Sequence, residues 1–224
     1  MEKKKLFTLI GAVAILSLGP TSAFADAIVY NLTTPNSDLS SFTGPYEQVT
    51  VNRTDATHAT ITFDSLTNGG DIYLMGANGA VGANVNGAFT LGTISGSNSL
   101  SGFTPGPWSN GGANNEDGFG SFSLTIDSFD GFTHSSTEIS FLLTKSSGSW
   151  LSAADVLTPN ASGQILAAHA FACAQPGCSS TSGAAATGYV SHAVSTVPEP
   201  KTTSLLLIGG LMMAIVFRKR VATN

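Results

Sequence analysis

Glu138-Ile139-Ser140-Phe141-Leu142-Leu143-Thr144-Lys145 decides the fold class. Ile139, Phe141 and Leu143 alternate with Ser140, Leu142 and Thr144, the two-residue period of a strand with one face on a core. The apolar Leu142 on the second face implies that this strand is partly covered on both sides. Working outward, residues 119–127 repeat the alternation, with Phe122, Leu124 and Ile126 against Ser121, Ser123 and Thr125. Residues 57–63 do so again, with Ala59, Ile61 and Phe63 against His58, Thr60 and Thr62. A link of hairpin length, Arg53-Thr54-Asp55-Ala56, joins that strand to residues 46–52, where Tyr46, Val49 and Val51 sit among polar neighbours. Residues 27–32, 72–75 and 89–94 supply further short apolar runs. The alternating stretches follow one another without helical periods between them. This predicts an all-β protein, an antiparallel β-sandwich with a jelly-roll-like arrangement among its options, rather than an α/β fold.

Other segments read less cleanly. Gly and Asn recur through residues 77–88 (Gly79, Gly82, Asn84, Asn86, Gly87), which predicts a loop or a bulged strand. Residues 96–118 carry Pro105, Pro107 and many Gly, Ser and Asn, which predicts one long irregular loop of the kind that is functional or mobile. Ser152 is placed to cap a short helix over residues 152–157. Residues 164–173 suit a helix by their alanines and a strand by the line of Ile165, Ala167, His169 and Phe171. The strand is preferred because residues 188–194 need a sheet neighbour.

Both ends of the chain read as addresses rather than as fold. Met1-Glu2-Lys3-Lys4-Lys5 is a positive leader, residues 6–18 are apolar, and Ala23-Phe24-Ala25 places small residues at the −3 and −1 positions. That is a signal peptide over residues 1–25 with cleavage after Ala25, leaving a secreted body over residues 26–196. In that body twelve carboxylates face two cations, Arg53 and Lys145, for a formal charge of −10. So acidic a body repels phosphate backbones, which argues against nucleic acid and favours divalent cations or neutral and cationic polymers.

At the other end, residues 197–224 run through three parts in order: Val197-Pro198-Glu199-Pro200, an apolar run over residues 202–217, and the basic cluster Arg218-Lys219-Arg220. The prolines hold the first part extended. The apolar run would make a transmembrane helix of about 24 Å, short for a hydrocarbon core of about 30 Å. The basic cluster would stay cytoplasmic, consistent with an outward-delivered body. The tripartite tail resembles the PEP-CTERM sorting signal. The resemblance covers about one eighth of the chain. It implies recognition at Pro198-Glu199-Pro200 by exosortase, a membrane-embedded processing enzyme of Gram-negative bacteria, and removal of the helix. It further implies a membrane-anchored precursor that ends at the cell surface or in the extracellular matrix, in exopolysaccharide and biofilm contexts.

Within the body, Cys173 and Cys178 flank Ala174-Gln175-Pro176-Gly177, a turn that brings two sulfurs together, so export predicts a disulfide. Asn114-Asn115-Glu116-Asp117-Gly118 and Asp127-Ser128-Phe129-Asp130-Gly131 cluster oxygen ligands suited to calcium, but without helix-loop-helix spacing. They read as solvated turns, and no metal site is expected. His169 near Cys173 reads as an ordinary histidine rather than a ligand. No Ser lies in a Gly-x-Ser-x-Gly elbow and no His pair has metalloprotease spacing, so no catalytic residue and no cofactor is expected. Trp108 and Trp150 are the candidates for stacking on sugar rings, with a loop anchor and a core residue as their more ordinary roles. The expected function is a non-enzymatic, structural or adhesive surface protein, with a polysaccharide-binding module as the alternative.

Overall fold

The computed structural model describes residues 25–193. The expected sorting motif (Val197, Pro198, Glu199, Pro200), the apolar run, the basic cluster (Arg218, Lys219, Arg220) and Ala23 lie outside the described residues, and Ala25 is the first residue inside them. Among the described residues no helix is long and apolar enough to cross a membrane.

Among the described residues, thirteen strands follow one another with three short 3-10 turns between them. The first seven are β1 (Asp26–Leu32), β2 (Thr34–Pro35), β3 (Glu47–Arg53), β4 (His58–Ser65), β5 (Thr67–Asn68), β6 (Asp71–Met75) and β7 (Val81–Ala83). The rest are β8 (Phe89–Ser97), β9 (Trp108–Glu116), β10 (Gly120–Ser128), β11 (Glu138–Lys145), β12 (Gln164–Ala174) and β13 (Ala186–Ala193). All pairings are antiparallel. One sheet has five strands in the order β1-β3-β4-β11-β8. The other has eight, in the order β2-β13-β12-β7-β10-β9, with β6 also on β12 and β5 on β6.

The alternation seen in the sequence is what joins the sheets. Val49 and Val51, Ala59, Ile61 and Phe63, and Ile139, Phe141 and Leu143 of the first sheet meet Leu124 and Ile126, Leu166, Ala168 and Ala170, and Val190 of the second in one buried core. Burying each large aliphatic side chain is worth about 1.5–3 kcal/mol, so this face dominates the energetics. The eight-stranded sheet is covered on its outer face too. Ile72, Leu74, Phe171, Cys173 and Cys178 form a second cluster with Leu100, Phe103 and Phe132, and Phe119, Phe122 and Ala167 form a third with Tyr189. Burial on both faces explains the unbroken apolar run of β12, which has no clean period because neither side of it meets water. The strand reading of that segment is correct, as is the capped turn at Ala153–Val156, where Ser152 and Asp155 form a capping box.

One expectation is overturned and one is resolved. Residues 96–118 do not form one irregular loop: β8 extends to Ser97, and Trp108–Glu116 is a nine-residue strand at the sheet edge. Its ladder to β10 supplies the backbone hydrogen bonds, with register shifts near Thr125. An edge strand with few inward positions needs no apolar alternation, so Ser109-Asn110-Gly111-Gly112 hides it. Of the two readings of residues 77–88, loop or bulged strand, the strand holds at β7, which is buried and wedged between β12 and β10. A Cβ at its Gly82 would lie 3.3 Å from Glu116 Cγ and 3.4 Å from the Phe122 ring, so small residues there permit close packing rather than mark a loop.

Candidate functional site

The edge hairpin of β9 and β10 and the turn that follows it build a concave site of about 290 Å³, lined by Asn78, Pro107, Trp108, Ser109, Asp127, Ser128, Phe129 and Asp130. Register places its parts: Trp108 pairs with Ser128 and Ser109 with Asp127, so the end of each strand contributes to one rim. Asp127 Oδ1 accepts the Gly79 amide at 2.8 Å, and Tyr189 Oη donates to Asn78 O at 3.4 Å. These two bonds hold the Asn78-Gly79 corner against the hairpin. Gly79 has φ +62°, and a Cβ there would fall 2.5 Å from Glu116 Oε1, so only glycine fits between the two carboxyl groups.

Trp108 is half-buried against the core, with Gly96 and Gly106 meeting its ring, and its Nε1 has no acceptor. Phe129 is 55% exposed and its ring lies 4.6 Å from that of His134. His134 Nδ1 is 2.8 Å from Thr104 O and 3.0 Å from Gly106 O, which ties the 3-10 turn at Phe132–His134 to the chain leading into β9. The site therefore combines two aromatic rings and a proline with two carboxylates and neutral amide and hydroxyl groups. Ring faces pack on the apolar faces of sugars, and the polar groups can meet hydroxyls.

Behind the rim the acids differ in kind. Glu116 is fully buried and both carboxyl oxygens lack hydrogen-bond partners. Burial, with the nearby Asp127 charge adding to it, pushes its carboxyl up to about 8, so at neutral pH it is mostly protonated. The expectation of solvated turn carboxylates over residues 114–118 is therefore wrong at Glu116, which the β9 register turns inward onto Gly82 and Phe122. Tyr189 is pushed up to about 12 by burial and then by Glu116, Asp117 and Asp127. Its ring stacks on that of His169 at 4.6 Å. Burial lowers the His169 pKa, and both ring nitrogens are engaged, Nδ1 with Gly76 O at 3.0 Å and Nε2 with the Thr187 hydroxyl at 2.8 Å. No cluster of three or more His, Cys, Asp or Glu able to hold a metal ion occurs among the described residues.

The other predicted residues separate. Trp150 is 1% exposed in the core, and its Nε1 donates to Asn86 O at 3.1 Å. A buried ring offers no face to a sugar, so of the two tryptophans Trp108 alone lies at a concave site. Cys173 and Cys178 are joined in a disulfide with Cα atoms 5.6 Å apart, under the loop residues Leu100 and Phe103. Sequence reasoning missed Asn78, Ser109, Phe129 and Asp130 as parts of one site. The Asp-Gly turn at Asp130-Gly131 marked their neighbourhood, but their convergence with Trp108 depends on β9 being a strand. No protein-family model matches the chain, and no curated protein and no solved structure matches it either.

Proposed function

We propose that this is an exported, non-enzymatic surface or matrix protein of a Gram-negative bacterium, sorted by exosortase, whose body is an adhesive β-sandwich that engages polysaccharide. The observation that carries the binding reading is the concave site where Trp108 and the exposed Phe129 stand beside Asp127, Asp130 and Asn78. Aromatic faces with a few polar groups around them are the recurrent chemistry of sugar sites. Two sheets sharing one core support the sandwich architecture. The disulfide fits an oxidising compartment, and the order of leader, Pro-Glu-Pro motif, apolar run and basic cluster supports export and sorting.

A glycan array read together with Trp fluorescence titration tests the binding reading. Saturable binding to at least one polysaccharide, lost in Phe129→Ala and Trp108→Ala, with no release of reducing ends on long incubation, is the expected result. The sorting half is tested by intact mass in an exosortase-bearing host. The mature chain should begin near Asp26 and end close to Pro200, and Glu199→Ala, which leaves hydrophobicity and the basic cluster unchanged, should block that trimming. An unaltered mature mass in the variant would leave a plain membrane anchor.

A further inference from the structure

Which polysaccharide the site takes is written in its charge. Asp127 and Asp130 are the ionisable groups that line it, and the Asp130 side chain makes no hydrogen bond among the described residues. Asp117 lies close enough behind it to act on Tyr189, whereas the buried Glu116 keeps its proton at neutral pH and adds no charge. The two cationic side chains of the body stand elsewhere. Arg53 is bound to Asp26 at 2.6 Å, and Lys145 lies over the Trp150 ring with its Nζ donating to Asn86 O at 2.8 Å. The register of β11 and β8 sets the separation: Gly96, against which Trp108 packs, pairs with Ile139, whereas Lys145 pairs with Phe89. Six residues of strand put about 20 Å between those positions, beyond a Debye length of about 8 Å at physiological salt. The acidic rim is thus unneutralised by any cation of the body; of the nearby titratable rings, His134 faces backbone carbonyls, and His169, on which Asp130 acts, is held by Gly76 O and the Thr187 hydroxyl with burial lowering its pKa.

We propose that the concave site formed by Trp108, Phe129, Asp127 and Asp130 takes a protonated amine borne on a sugar ring, so that the ligand is a polysaccharide containing free amino sugars. The inference rests on the polysaccharide reading above. In it the Asp130 carboxylate, with Asp127 behind, receives the ammonium group, while the exposed face of Phe129 packs against the ring carbons and adds a cation–π attraction. Asn78 and Ser109 meet neutral hydroxyls. A uronic acid polymer is excluded by the same charges that admit an amine.

The test is isothermal titration of the body with four probes at matched ionic strength: a β-1,4-glucosamine hexamer, its fully N-acetylated form, a neutral glucan hexamer and hexalysine. The glucosamine hexamer should bind at least about tenfold more tightly than the N-acetylated form, the value of one charge-assisted hydrogen bond, and weaken as salt is raised. Asp130→Asn, an isosteric change at an exposed turn, should remove about the same tenfold and leave the circular dichroism spectrum unchanged. Equal binding of the two hexosamine probes, both lost in Phe129→Ala, would overturn the amine and keep a polysaccharide site. Hexalysine binding as tightly as the glucosamine hexamer, or an unaltered affinity in Asp130→Asn, would likewise overturn it. Failure of all three sugars would remove the polysaccharide reading as well.

Discussion

The two ends of the five-stranded sheet handle polar groups in opposite ways. At the end where Arg53, Lys145 and Trp150 gather, polar groups find partners inside the chain. Asp26 accepts the Ala153 amide at 2.7 Å and the Arg53 guanidinium at 2.6 Å, and these bonds hold its carboxyl below its usual range. Trp150 is enclosed and hydrogen-bonded, and Asp155 closes the capping box with Ser152. At the Gly96 end the Phe129 ring and the Asp130 carboxylate face outward, and the Trp108 Nε1 lacks an acceptor. One end uses its polar groups on itself; the other leaves an aromatic ring and a carboxylate open to solvent. This contrast, more than any motif, is what the binding proposal rests on.

The contrast breaks down if substitutions at the two ends behave alike. Trp150→Ala carries the largest expected effect: a cavity in the core and a lost hydrogen bond should lower the unfolding free energy by about 3–5 kcal/mol, read from urea melts, while polysaccharide binding by the remaining folded protein persists. Should Trp150→Ala abolish binding in protein that is demonstrably folded, the division of labour between the ends is wrong.

Next comes the acid behind the open end. The Glu116 carboxyl is raised to about 8 from its ordinary value of 4.5, by burial first and then by Asp127. The folded state therefore retains a proton that the unfolded chain releases. Its stabilisation is complete below pH 4.5 and is lost as pH rises through about 8, at a slope of at most about 1.4 kcal/mol per pH unit. Glu47, buried and likewise pushed up by desolvation, adds a contribution of the same sign. Glu116→Gln should therefore flatten the fall in stability across this window without removing it. An unchanged slope would mean that Glu116 is not the buried proton carrier.

A smaller effect is expected from the Cys173 to Cys178 link, which closes a loop with a sequence separation of 5. In the chain-entropy picture its removal costs about 2 kcal/mol. The Cys173→Ser, Cys178→Ser double variant should melt earlier yet bind polysaccharide unchanged, because neither residue lines the concave site. Free-thiol labelling of the unreduced protein should find no reactive thiols. Smallest in stability is Phe129→Ala. The ring is more than half exposed, so unfolding should shift by no more than about 0.5 kcal/mol while binding is lost. A binding loss matched by an equal stability loss would make Phe129 a structural residue.

Local chemistry was enough to settle most elements of this protein. Ile139, Phe141 and Leu143, or Ala59, Ile61 and Phe63, have a two-residue period because alternate side chains of a strand point to opposite faces, and these strands bury one face in the core between the sheets. The antiparallel all-β class, the 3→4 hairpin, the capped turn at Ser152 and the Cys173 to Cys178 pair were legible for that reason, each resting on neighbours close in the chain. Tertiary structure alone decided the rest. Gly82 looks like a loop residue until β10 and β12 close on either side of it, and Trp108–Glu116 looks irregular until β10 pairs with it, since backbone hydrogen bonds leave no mark on side-chain pattern. The burial of Glu116, the separation of Trp108 from Trp150 and the meeting of Asn78, Trp108 and Phe129 at one rim likewise depend on strand order. Residues 21 to 51 positions apart are brought together there by sheet topology, which no local spacing encodes.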